Sequence, residues 1–93
     1  SMAVPALAKA LRDDEPAVRA AVLEALGRIR DPGSATAVIP LLRDREREIR
    51  IGAAMILGKL GNRQAIAALT AVKDDPFSEV REAAEDALRR LLK

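Results

Sequence analysis

Residues 45–61 read REREIRIGAAMILGKLG, an alternating charged lead that runs directly into a block with almost no polar face. Between Ile49 and Leu60 only Arg50 and Lys59 carry charge. The uncharged centre, Ile51 to Gly58, is far short of the roughly 20 residues needed to span a bilayer, so a membrane segment is ruled out as its meaning. The block is therefore either the buried side of a helix or the edge of a contact surface, and its neighbours in the chain decide between them.

Moving outward, the pair Ile49-Arg50 recurs as Val18-Arg19 and Val80-Arg81, each 31 residues apart, and Asp13, Asp44 and Asp75 keep the same interval. So do Ala21, Gly52 and Ala83, then Ala25, Ile56 and Ala87, then Leu26, Leu57 and Leu88, then Ile29, Leu60 and Leu91. So many registers at one interval mark an internal repeat. Within each unit these positions fall three, four, seven, eight and eleven residues after the Val or Ile, with Val22, Ala53 and Ala84 included, which is the stripe of an amphipathic helix of about four turns. A shorter apolar segment precedes each stripe: AVPALAKAL at 3–11, ATAVIPLL at 35–42 and AIAALTAV at 65–72. Each unit is thus a pair of antiparallel helices, and helices are expected near 3–12, 15–30, 34–43, 46–60, 63–73 and 77–92.

Punctuation supports these bounds. Asp14-Glu15-Pro16 and Asp75-Pro76 read as helix starts, an acidic cap followed by a proline where no amide partner is needed. Ser34 is a candidate cap after Asp31-Pro32-Gly33, and Gly61-Asn62 stops one helix and starts the next. Pro40, late in a short helix, removes an amide donor and should bend the chain.

DDEPAVRAAVLEALGRIRD, DREREIRIGAAMILGKLGN and DDPFSEVREAAEDALRRLL resemble the second helix of the short HEAT-like repeat named after phycobilisome lyases: an Asp at the turn, a Val-Arg pair, small residues, Ala-Leu-Gly and a polar turn. The likeness covers three units and nearly the whole chain, and it implies an all-α, right-handed α-α superhelix. The expected organisation is one domain over 1–93, with repeats at about 3–31, 34–62 and 63–93, and residues 1–2 an addition to the natural chain. The third unit departs from the pattern in having Arg89 where Gly27 and Gly58 stand. The resemblance also implies that Arg19, Arg50 and Arg81 bond the inter-helix turn and the neighbouring unit's acid, forming a structural ladder with Asp13, Asp44 and Asp75.

The composition, 49% hydrophobic and 32% charged over 93 residues with one aromatic, is that of a folded helical domain. There is no Cys and no His. This removes disulfides, thiol chemistry, the usual general base and the commonest metal ligand. Some relatives of the repeat carry paired His-Glu metal ligands, and without histidine that property does not carry over. The acids at Asp13-Asp14-Glu15 and Asp74-Asp75 sit at turns where capping and solvation account for them. No cofactor, metal or catalytic residue is expected, and the sequence reads as a non-enzyme.

With 16 basic and 14 acidic residues the net charge is +2, and Arg43, Arg45 and Arg47 alternate with Asp44, Glu46 and Glu48. The local field cancels, which disfavours nucleic acid. An N-terminus without a basic start or cleavage pattern suggests no leader, and a cytoplasmic location is expected.

On the arc opposite the stripe the first unit has Leu23 and Glu24, the third Glu82 and Asp86, and the middle one Ile51 and Met55. The middle helix is apolar where its last counterpart is acidic. In a solenoid the second helices line the surface that usually meets partners. Leu23, Glu24, Ile51, Met55, Glu82 and Asp86 are therefore the candidate partner-contact residues. The expected function is a protein-interaction or scaffolding module for another protein or peptide. The alternative is an auxiliary or regulatory domain of a larger enzyme. The apolar helix at 3–12, charged only at Lys9 and Arg12, suggests either further repeats or a homodimer at that end.

Overall fold

A computed structural model describes residues 3–93 of the chain. Six α-helices follow one another: α1 (Ala3–Ala10), α2 (Pro16–Ile29), α3 (Ala35–Val38), α4 (Arg47–Leu60), α5 (Ile66–Ala71) and α6 (Ser78–Leu91). Short 3-10 turns extend the first helices of the second and third units: Pro32–Ser34 and Ile39–Arg43 flank α3, and Arg63–Ala65 and Val72–Asp74 flank α5. The helices pair as α1·α2, α3·α4 and α5·α6 into three hairpins that stack in chain order. No strand is present among the described residues.

Pro40 explains the short α3. Its ring cannot donate an amide hydrogen bond and crowds the preceding turn, and the regular helix ends at Val38, where the chain tightens into the 3-10 turn that carries Pro40. Three aspartates prepare the long helices. Asp13 Oδ1 accepts from the Glu15 amide at 2.9 Å, Asp44 Oδ2 from the Glu46 amide at 2.8 Å and Asp75 Oδ1 from the Phe77 amide at 3.0 Å. Each Asp thus folds the turn two residues ahead of itself. Consequently α6 begins at Ser78, not directly after Pro76, whereas Pro16 does occupy the first position of α2. Ser34 is not a side-chain cap either. Asp31 takes that part by accepting from Gly33, while the buried Ser34 hydroxyl donates to the Asp31 carbonyl at 2.7 Å. Gly61 leaves α4 in the left-handed conformation that a side chain strains, φ 70°, and Asn62 then accepts from the Gln64 amide.

The core runs along the stack. Leu26, Leu57, Leu69, Val38 and Val80 are fully buried, with α4 in the middle packing on α2 to one side and α6 to the other. The long helices do not all bury the same arc, however. On α4 and α6 Ile49, Leu60, Val80 and Leu91 lie in the core, but on α2 the register equivalents Val18 and Ile29 are each 37% exposed and Ala21 is exposed. This side of a long helix packs against the preceding long helix, and α2 has none against it among the described residues. Its buried arc is shifted instead toward α4, through Val22, Leu23, Leu26 and Gly27.

Candidate functional site

That shift corrects one expected contact residue. Leu23 is 3% exposed and belongs to the core, because the arc bearing it faces α4 and not solvent. The same reason buries Ala54 and Gly58 on α4, which face α6. Met55 is different: it is 52% exposed, the most open large apolar side chain of α4. Ile51 is half-buried and packs against the core, while Glu24, Glu82 and Asp86 are exposed.

Met55 stands on a ridge between two grooves. The larger, of about 510 Å³, lies between α2 and α4, with Leu23, Gly27, Gly52 and Ile56 along its floor and Glu24, Arg28, Glu48 and Lys59 around it. The smaller, of about 80 Å³, lies between α4 and α6, where Met55 and Lys59 face Asp86 and Arg90. The structure therefore brings Met55 together with Leu23 and Glu24 on one side and with Asp86 on the other. Ile51 and Glu82 line neither groove. Gly27, Arg28, Gly52 and Lys59 of the larger groove were not among the contact residues expected from the sequence, where the two glycines stand only as register positions; across the seam Gly27 faces Ile56 and Gly52 faces Leu23.

The six ladder residues lie at the other end of the long helices. Arg19 Nε donates to Asp44 Oδ1 at 2.8 Å and Nη2 to Asp44 Oδ2 at 3.1 Å, while Nη1 donates to the Asp13 carbonyl at 2.8 Å. One guanidinium thereby clamps its own turn and the next unit's acid. The Asp44 hydrogen bond raises the Arg19 pKa further above its ordinary value, against the opposing effect of burial. Arg50 repeats the arrangement, Nε to Asp75 Oδ2 at 2.8 Å, Nη2 to Asp75 Oδ1 at 3.5 Å and Nη1 to the Asp44 carbonyl at 2.8 Å. Arg81 Nη1 donates to the Asp75 carbonyl at 2.6 Å.

Two further contacts brace the stack, the first between successive inter-unit turns and the second within the third hairpin. Asn62 Nδ2 donates to the Pro32 carbonyl at 3.0 Å and Arg63 Nη1 to the Leu91 carbonyl at 2.9 Å. Phe77 is covered by Arg47, whose guanidinium carbon lies 4.6 Å from the ring centre, with that of Arg50 at 5.9 Å. Two of the four arginines around residues 43–50 are thus occupied within the protein. Among the described residues no cluster of three or more His, Cys, Asp or Glu could hold a metal ion, and no helix is long and apolar enough to cross a membrane.

A family model described as HEAT repeats matches residues 3–89. The chain is 32% identical over 91 residues to deoxyhypusine hydroxylase of Drosophila pseudoobscura pseudoobscura and 30% identical to that of Rattus norvegicus, in each case covering 96% of this chain and 30% of the relative. Among solved structures, human deoxyhypusine hydroxylase in complex with glycerol superposes with a TM-score of 0.88 at 29% identity, over 99% of this chain and 33% of that one. The complex of CpcE and CpcF of phycocyanin lyase from Nostoc sp. PCC7120 matches with a TM-score of 0.86 at 30% identity, over 95% of this chain and 36% of that one. The chain therefore spans about 30% of the length of the curated relatives it matches. These names correct the expectation of a non-enzyme: the relatives are enzymes, and a residue inventory over a segment of this length has no bearing on chemistry carried elsewhere in proteins some three times longer. The 31-residue interval, the Arg–Asp clamps it sets across each seam and the match over residues 3–89 converge, and the chain belongs to the HEAT-repeat family.

Proposed function

We propose that this chain is the protein-binding segment of an enzyme-related HEAT-repeat protein, and that it takes a segment of a protein partner along the face of its long helices, in the groove between α2 and α4. The observation that carries this reading is Met55, 52% exposed beside an apolar floor that contains Leu23 and Ile56. The side chains of Ile56 and Leu23 lie over Gly27 and Gly52, so the floor that a partner would meet is apolar. The surrounding charges have both signs, Glu24 and Glu48 against Arg28 and Lys59, which suits a polypeptide with apolar anchors and a mixed polar border better than a polyanion. Methionine at the edge of a groove adapts to different partner side chains. The similarity to enzymes of which this chain spans about a third supports the larger context, in which the helical face presents or positions a protein for chemistry performed elsewhere.

The test compares the chain with Met55→Glu in affinity purification followed by mass spectrometry, with thermal midpoints measured in parallel. The expected result is loss of a specific captured partner with a midpoint almost unchanged, because the substituted side chain is largely in water. Retention of the same partners by Met55→Glu would remove the groove from the reading.

A further inference from the structure

The penultimate residue of each long helix is a cation in one shared register: Arg28 on α2, Lys59 on α4 and Arg90 on α6, 31 residues apart. A positive charge there opposes the negative end of the helix dipole, which accounts for the register. It does not account for the surroundings of the middle one. Four residues earlier α2 has Glu24 and α6 has Asp86, and each pairs with an arginine of its own helix, Glu24 with Arg28 at 3.6 Å and Asp86 with Arg89. On α4 the equivalent position is Met55, so Lys59 has no acid one turn back and pairs with none among the described residues.

Arg30 places a second free cation at the same end of the groove between α2 and α4. It closes α2 at φ 57°, the only non-glycine residue with a positive φ among those described, in the register where α4 is closed by Gly61 at φ 70°. Glycine takes this conformation without strain and arginine does not. The arginine puts a guanidinium on the groove where the next unit has no side chain. Of the five charged residues that line the groove, Glu24 is taken by Arg28 and Glu48 by Arg47 at 3.5 Å, which leaves Arg30 and Lys59. The groove therefore has an apolar middle at Met55 and an uncompensated positive end where α2 and α4 finish, with Glu48 about 16 Å away in the first turn of α4.

Taking the groove as the polypeptide site proposed above, we infer that its occupant is an acidic segment: an apolar side chain packs beside Met55, and a carboxylate of the same segment is received by Arg30 and Lys59. Met55 and Lys59 stand about 6 Å apart along the helix, and an extended chain advances about that distance in two residues with both side chains on one face. The fitting motif is an aspartate or glutamate two places from a large apolar residue. A nucleic-acid backbone fits less well, because its successive phosphates would also meet Glu24 and Glu48 and find only two free cations.

The probe is a random-sequence peptide library displayed on phage and selected on the chain, followed by fluorescence anisotropy with the tightest selected peptide. The selected peptides should carry an acid two places from a large apolar residue and bind more weakly as salt rises. Arg30→Gly should weaken binding about tenfold with a thermal midpoint equal or higher, since glycine relieves the left-handed cap, and Lys59→Gln should weaken it by about the same factor. Arg30→Gly combined with Lys59→Glu should turn the selection toward basic peptides. A peptide lost with Met55→Glu but bound undiminished by Arg30→Gly and Lys59→Gln keeps the groove and overturns the acidic occupant. One indifferent to all three substitutions overturns the groove as well. A selection that yields no acidic enrichment, or displacement of the peptide by duplex DNA as effectively as by polyglutamate of equal charge, also overturns the acidic occupant.

Discussion

The seam between α2 and α4 and the seam between α4 and α6 use the same parts with opposite emphasis. In the first the Arg19–Asp44 clamp is fully two-pronged, at 2.8 and 3.1 Å, with both side chains 6% exposed, yet the helices beyond it leave a groove of about 510 Å³. In the second the Arg50–Asp75 clamp is looser, its second prong 3.5 Å long and its side chains 13% and 9% exposed. There the helices close until a Cβ at Gly58 would lie 3.0 Å from Ala87 Cα, leaving about 80 Å³. The clamp holds the register of one unit on the next, and the size of the residues facing each other along the helices decides how near they come. Leu23 and Ile56 hold the first seam apart, whereas Gly58, Ala83 and Ala87 let the second shut. An open groove and a tight seam thus arise from one repeat by changing residues one register away from the shared core.

The largest effect should come from the residue both seams share. Leu57 is fully buried at the centre of the stack, and Leu57→Ala should cost about 2–5 kcal/mol, enough to leave so small a domain largely unfolded in a urea titration. Gly58→Leu addresses the second seam alone. Its side chain would drive into the Ala87 backbone, which cannot rotate away, and a destabilisation of about 1–3 kcal/mol is expected. The comparison would break if Gly58→Leu were neutral in the same titration.

Next in size are the clamps. Arg19→Ala leaves the buried Asp44 carboxylate with only the Glu46 amide as donor, and Arg50→Ala leaves the more exposed Asp75 with only the Phe77 amide. Both should lower the thermal midpoint, Arg19→Ala by more. The reverse order would mean that the closely packed helices of the second seam, and not the accessibility of the ion pair, set what a clamp contributes.

How much of this was legible before the structure divides along the same line. The three hairpins and the buried leucines Leu26, Leu57 and Leu88 follow from a period that repeats in the residues themselves. The groove does not. Val18 and Ile49 are alike in chemistry and register, yet one is 37% exposed and the other 3%, because burial depends on whether a long helix lies against that side. A helical wheel drawn from one helix contains no neighbour, so it placed Leu23 on the surface and put Val18 in the core. The short α3 was half legible: Pro40 marks a bend, but the change to 3-10 geometry depends on how the turn packs against α4.

The smallest effect tests the groove from its floor. A Cβ at Gly52 would meet Leu23 Cδ1 at 3.6 Å, an ordinary contact, where one at Gly58 would need the Ala87 backbone to move. Both glycines lie inside α4, where alanine is the better helix former by about 1 kcal/mol. Gly52→Ala should therefore stabilise the protein by up to that amount, while Gly58→Ala gives less or reverses in sign. Because the new methyl at 52 rises from the groove floor, the same substitution should also weaken a partner seated between α2 and α4 without disturbing the fold. A gain in midpoint together with undiminished capture of that partner would show that the partner does not reach the floor, and would confine the contact to Met55 and its charged surroundings.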